Sequence, residues 1–246
     1  MYTSRREIMG LDTEIRPNIY RMGMLGGSLP YDYISMFLDV FADNPFATNC
    51  WAVSADGSDE AVVVDPGFEP ERILEMVRGA GRRLVAVLAT HGHADHIAVV
   101  PQVCDPGVPL YIHEADELAL TDQRTWGSGM LLEADLRADE VRTLADGDVL
   151  EFAGFRIEVM HTPGHTPGSV CYVTDGFVFS GDLVFRGSIG RHDFPNSSEP
   201  DMWASLRRFL TLPDSLLVYP GHGPETTVGV ERISNEWLVP LAGARD

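Results

Sequence analysis

The feature that most constrains this chain is an apolar run that ends in a cluster of titratable side chains. Leu84-Val85-Ala86-Val87-Leu88-Ala89 is followed, after Thr90, by His91-Gly92-His93-Ala94-Asp95-His96. A short uninterrupted apolar run predicts a strand buried on both faces. In an extended segment residues 91, 93 and 95 point to one side, and a turn into the next helix brings His96 in from another direction. Neutral imidazole and carboxylate are the ligands expected for zinc, iron or manganese. One short segment can therefore serve two adjacent metals.

The rest of the chain supplies matching pieces. His165 lies in Thr162-Pro163-Gly164-His165-Thr166-Pro167-Gly168, where prolines and glycines make a rigid turn. Asp182 lies in Phe179-Ser180-Gly181-Asp182, at the end of an apolar strand, and His222 lies in Tyr219-Pro220-Gly221-His222-Gly223. Ligand-type residues at the ends of several strands converge on one edge of a sheet, where functional loops commonly gather.

Around these pieces the pattern alternates strands with helices. Cys50–Ser54 and Ala61–Val64 read as a hairpin across Asp56-Gly57-Ser58, closed by the turn Asp65-Pro66-Gly67. Pro70 opens a helix whose apolar face is Ile73, Leu74 and Val77. A short helix broken near Pro101, a strand at Leu110–Ile112 and a helix from Glu114 to Leu120 follow. Residues 121–146 read as a long polar connection containing Trp126 and Met130. Strands are expected at 149–152, 155–160, 169–174, 176–180 and 215–219. Helices are expected at 200–211, with Trp203, Leu206, Phe209 and Leu210 inward, and from about 229 to 238. The pattern predicts two mixed sheets packed together with helices outside, in a single domain over 1–246 preceded by a polar arm at 1–17.

Charge narrows the partners. With 18 basic and 37 acidic residues the formal charge is −19, which argues against a nucleic-acid surface and against docking to anionic membrane. No apolar run reaches the ~18 residues of a membrane span, and the N-terminus carries no secretory pattern. Cys50, Cys104 and Cys171 are an odd, scattered set, expected as buried thiols in a reducing, cytoplasmic setting.

The cluster and its partners carry a resemblance. The sequence resembles the metallo-β-lactamase superfamily, whose signature is H-x-H-x-D-H with later His, Asp and His ligands, from about Asn49 to Trp237. Within it the chain looks like the short, glyoxalase II-like (hydroxyacylglutathione hydrolase-like) hydrolases. That likeness rests on Asp65-Pro66-Gly67, His161 to Ser169, Ser188 to Pro195 and Tyr219 to Thr227. The resemblance implies an α/β fold, the four-layer αβ/βα sandwich. It implies one metal on His91, His93 and His165, a second on Asp95, His96 and His222, and Asp182 bridging both.

The expected cofactors are two divalent ions, zinc first, with iron or manganese as other fits. The implied activity is hydrolysis of a small acyl-thiol substrate by a metal-bridging hydroxide, with Asp95 and Asp182 catalytic. Arg191, His192 and Phe185 are the candidate substrate contacts, Arg191 being better suited to pairing with a carboxylate than to holding substrate. His161 reads as support for a ligand or as a loop residue, and His113 as a surface residue. Three alternatives stand beside the thioesterase: a persulfide dioxygenase with one iron on His91, His165 and Asp182, a lactonase or other hydrolase of the same fold, and a non-catalytic scaffold with a structural metal.

Overall fold

The computed structural model describes residues 19–20, 36–104, 107–123 and 135–243. Among them, a seven-stranded mixed sheet runs in the order β1 (Ile19–Tyr20), β2 (Met36–Phe41), β3 (Cys50–Ala55), β4 (Glu60–Val64), β5 (Arg83–Leu88), β6 (Leu110–His113), β7 (Val141–Leu144). A second sheet of six strands holds β8 (Val149–Phe152), β9 (Phe155–His161), β10 (Val170–Val173), β11 (Phe177–Gly181), β14 (Leu217–Pro220) and β15 (Thr226–Thr227). The two-residue strands β12 (Val184–Phe185) and β13 (Ser188–Ile189) form a separate hairpin.

Alternation along the strands builds the layers. In β4 and β5 the side chains of Val62, Val64, Ala86 and Leu88 face the second sheet, while Val63 and Val87 face the helices outside. In β11, Phe177 and Phe179 enter the core between the sheets and Val178 enters an outer core with Leu206 and Phe209. A strand buried on both faces thus separates two cores, and three cores separate four layers: helix, sheet, sheet, helix. Each fully buried Val, Leu, Ile or Phe in these cores contributes about 1.5–3 kcal/mol relative to exposure. This is the αβ/βα sandwich that the sequence suggests.

The outer helices dock through simple patterns. Helix Pro70–Gly79 starts on proline, which its first turn tolerates, and buries Ile73 and Val77 one turn apart. In helix Glu199–Phe209, Ser198 caps the first turn by accepting from the Asp201 amide, and Met202, Leu206 and Phe209 face inward. Met202 takes the place foreseen for Trp203, which is only partly buried.

Several local expectations change. The expected C-terminal helix is two short ones, Val228–Ser234 and Val239–Ala242. They are interrupted at Asn235, whose buried amide donates to Ser188 O and to Glu231 instead of facing solvent. The stretch 121–146 is not wholly connection, since Val141–Leu144 adds an edge strand and Leu136 is buried in the core. Trp126 and Met130 lie outside the described residues, as does the arm at 1–17. His113 is buried, its ring stacked on His161 at 4.0 Å. The three cysteines are free and buried. No helix among the described residues is long and apolar enough to cross a membrane.

Candidate metal centre

Strand direction gathers the centre at one edge. β4 and β5 are parallel, and so are β11 and β14. β9 and β11 each run antiparallel to β10, so β9 ends where β11 ends. The carboxyl ends of these strands therefore carry Asp65, His91, the 162–168 turn, Asp182 and His222 to the same rim. Hydrogen bonds between the two sheets fix that rim. Val170 N donates to Thr90 O, Tyr172 Oη to Ala89 O, Asn49 N to Gly221 O and Trp51 Nε1 to Pro220 O.

All seven residues singled out from the sequence meet there. One group comprises His91, His93 and His165, another Asp95, His96 and His222, each with its donor atoms within 4.8 Å of one another. Asp182 stands between them, with Oδ2 3.4 Å from His165 Nε2 and 3.4 Å from His222 Nε2, and Oδ1 3.5 Å from His96 Nε2. One detail differs from the extended-segment reading. Asp95 and His96 both lie in a helical turn, Ala94–Ile97, so alternation accounts for His91 and His93 alone, and the helix turns the next two ligands toward the second group.

The imidazoles are aimed by hydrogen bonds on their outer nitrogens. His165 Nδ1 donates to Arg191 O at 2.6 Å, and His96 Nδ1 meets Asp65 Oδ2 at 2.9 Å. Thr90 Oγ1 donates to Asp65 and lies 3.1 Å from His91 Nδ1. The inner nitrogens are left facing the centre, and His91 Nε2 lies 3.1 Å from His93 Nδ1. Thr48 Oγ1 donates to Asp95 Oδ2. Such outer partners fix ring orientation and tautomer in metal sites.

Electrostatics divides the centre in two. Burial, reinforced by the other histidines, holds His91 well below the ordinary imidazole value, lowers His93 to about 3 and lowers His165. These three rings are thus held toward the neutral form, and the second group is drawn toward the charged one. Burial opposes it, yet Asp95, Asp182 and Asp65 together raise His96 to about 9. Asp182 and Asp95 likewise outweigh burial and raise His222 to about 11. Against burial, His96 and His222 bring Asp95 down to about 2 and push Asp182 well below the usual carboxylate range.

Three buried atoms of this centre have no hydrogen-bond partner: His96 Nε2, His165 Nε2 and Asp182 Oδ1. Orphaned buried polar atoms are costly and rare. All three point inward from different loops, and the donor set is imidazole and carboxylate. The residues present fit divalent ions.

The remaining candidates spread around the rim. Phe185 sets its ring 5.7 Å from that of His222. Arg191 is ion-paired with Asp193 and lies over Phe194, 4.3 Å from the ring centre. His192 packs against Trp203 and Trp237 at 6.0 and 6.2 Å. Two contributors lie in segments that carry the family likeness but were not expected at the centre. Asp65 reads in the sequence as a turn residue, and its left-handed backbone (φ 56°) turns its carboxylate back onto Thr90 and His96. Phe194 packs edge-on against His93 and His165 at 5.2 and 5.7 Å. His161 donates to Pro167 O and so braces the His165 turn.

Comparison with known proteins identifies the family. The profile of the metallo-beta-lactamase superfamily matches residues 43–222. Among curated proteins, the "Probable metallo-hydrolase YqgX" of Bacillus subtilis is 37% identical over 199 residues, 79% of this chain and 93% of the relative. The "Hydroxyacylglutathione hydrolase GloC" of Haemophilus influenzae is 32% identical over 212 residues, 82% and 98% respectively. Among solved structures, the BLEG-1 B3 metallo-beta-lactamase superposes with a TM-score of 0.75 at 34% identity, covering 82% of this chain and 99% of the other. TTHA1623 in a di-iron-bound form gives 0.70 at 37%, covering 81% and 100%. ETHE1 from Myxococcus xanthus gives 0.67 at 26%, covering 85% and 90%. The chain belongs to the metallo-beta-lactamase superfamily and stands among its metallo-hydrolases.

Proposed function

We propose that this protein is a glyoxalase II-like thioester hydrolase acting on a small acyl-thiol with two divalent ions, zinc in the first instance. The observation that carries the reading is Asp182, whose two oxygens reach His165 of one group and His96 and His222 of the other. A site for one ion needs neither that reach nor the complete second group. The relative named a hydroxyacylglutathione hydrolase supports the substrate class, and the neighbour solved with two irons supports the count.

His91, His93 and His165 would hold one ion and Asp95, His96 and His222 the other, with Asp182 within reach of both groups. Divalent ions so placed polarise a carbonyl and lower the pKa of water from ~15.7 to about 7. The chain's own contributions are orientation and charge. Asp65, Thr90 and Arg191 O hold the rings, while ionised Asp95 and Asp182 offset the positive charge of the ions. Asp95, engaged by Thr48 and by the second group, has no free role as a general base. Phe185 and Phe194 flank the centre on opposite groups and take the apolar part of the acyl chain, with Arg191 and His192 on the adjoining segment.

The test is hydrolysis of S-lactoylglutathione and simple thioesters, before and after chelation, alongside metal content. Two ions per chain and chelator-sensitive hydrolysis are expected. One iron with sulfite production from a persulfide would replace this reading with the dioxygenase one.

A pH dependence follows from the charge division. The three neutral histidines have no proton to lose on ligation, whereas His96 and His222 are protonated at neutral pH and must release theirs. The first ion is therefore expected to bind with little pH dependence near pH 7. Affinity for the second rises with pH by on the order of tenfold per pH unit for each proton displaced, through both His96 and His222 up to about 9 and through His222 alone up to about 11. Calorimetric titration in buffers of different ionisation enthalpy reads the protons released. Equal release by both ions would contradict the assignment.

A further inference from the structure

The three-histidine group is assembled from two separate loops, and one buried carboxylate outside the ligand set joins them. Asp116 lies in the 3-10 helix Glu114–Leu120 and is fully buried. Its Oδ2 accepts from Gly92 N at 2.7 Å and from Thr166 Oγ1 at 2.6 Å, and its Oδ1 accepts from Gly168 N at 2.6 Å. Gly92 is the residue between His91 and His93, and Thr166 directly follows His165. The far side of the same peptide segment is held as well, since Gln123 Nε2 donates to Gly92 O and to Ala119 O. Gly168 has to lack a side chain, because a Cβ there would lie 2.6 Å from Asp116 Cγ and Oδ1.

The other group takes its orientation elsewhere, His96 from Asp65 and Asp95 from Thr48. Asp65 also reaches His91 through Thr90, whereas Asp116 ties the segment carrying His91 and His93 to the turn carrying His165. Hydrogen bonds to an ionised acceptor are short and strong, and a buried carboxylate with three well-aligned donors is a rigid joint. A ligand's position is only as fixed as the loop that carries it.

We propose that Asp116 is a positioning residue that sets His91 and His93 against His165, and so tunes the divalent-ion affinity of the three-histidine group separately from that of the Asp95, His96 and His222 group. The proposal rests on the two-ion reading above. In Asp116→Asn the shape is retained, but an amide NH2 must face N–H or O–H donors on one side. Loss of such a supporting partner costs about 10–100-fold in metal affinity.

The experiment is retention of zinc by the loaded protein against increasing chelator, read by metal analysis. For Asp116→Asn, one ion of the two is expected to leave at a chelator concentration about 10–100-fold lower, with the other unchanged. Thr166→Val, which removes one donor and leaves Asp116 in place, should shift the same ion by less, and Thr166→Ser should restore it. That pair carries the test if Asp116→Asn does not fold. A general structural role would loosen both ions alike. Equal loosening of both, or no change in either, overturns the proposal. Should the wild-type protein hold one ion only, the two-ion reading fails by itself. Asp116→Asn must still loosen that ion, and an unchanged affinity overturns the proposal.

Discussion

Asp182→Ala should lose both bound ions from a chelator-washed preparation and lower thioester hydrolysis by about 10³-fold. The argument starts from the end of β11. Gly181 adopts φ +48°, and a Cβ there would lie 2.5 Å from Thr90 Oγ1, so the chain turns sharply and projects Asp182 over the rim. Its oxygens then lie within 3.5 Å of three imidazole nitrogens on three different loops. Removing the carboxylate leaves His96, His165 and His222 facing one another, with Asp65 beside His96 and Asp95 3.5 Å from His96 and His222 as the remaining counter-charges. Asp182 is also among the groups that raise His96 and His222, so without it the whole network of charge relaxes. Lewis-acid stabilisation of a transition state is worth several kcal/mol, and ~1.4 kcal/mol is tenfold in rate, which sets the expected loss. Asp182→Asn keeps the shape and removes the charge, and it should follow Ala in metal content while folding like the wild type. Metal analysis with kcat/KM on S-lactoylglutathione checks both. A variant that kept two ions and the wild-type rate would remove Asp182 from the bridging position and with it the main support for a two-ion centre.

How much of this was legible in the sequence depends on how local each signal is. His91 to His96 advertise themselves because four titratable residues crowd one strand end. His165, Asp182 and His222 were legible because each closes a strand beside glycine or proline. The layered fold could be read from runs such as Ala61–Val64 and Leu84–Ala89, since only a strand covered on both sides has such a run. Asp65 and Asp116 gave no such signal. Asp65 is indistinguishable from an ordinary turn aspartate until the left-handed backbone shows its carboxylate turned inward. Asp116 lies between Glu114 and Glu117 in what looks like a solvated acidic helix. The tight 3-10 winding, which no hydrophobic period announces, and a loop 50 residues later together bury it. Residues whose role is set by a partner distant in sequence are invisible until the fold supplies the partner.

Gly221→Ala is expected to be as damaging as removal of a ligand, although no ligand is touched. A Cβ at position 221 would lie 2.2 Å from Asp182 Oδ1 and 2.8 Å from His96 Cε1, so it would occupy space needed by one residue of the second group and by the bridge. Neither side can yield cheaply. Gly221 is pinned on both sides, its N–H donating to Gly181 O at 2.8 Å and its carbonyl accepting from Asn49 N at 2.7 Å, and these bonds hold β14 to β11 and to the other sheet. His96 is held by Asp65, and Asp182 follows Gly181, whose left-handed turn is closed against Thr90. The expected outcome is a folded protein, since the three cores are untouched, with ion content below one per chain and hydrolysis reduced on the order of 10²–10³-fold, the scale of losing a preorganised electrostatic group. Gly223→Ala in the same loop is the control. Position 223 has φ +77° but no atom within 4 Å of an added Cβ, so its cost is backbone strain alone, about 1 kcal/mol, and the centre should keep both ions. Circular dichroism, melting temperature and metal content on the two variants separate crowding from strain. If Gly221→Ala retained both ions while Gly223→Ala lost them, the loop's conformation and not the space beside Asp182 would be what the centre depends on.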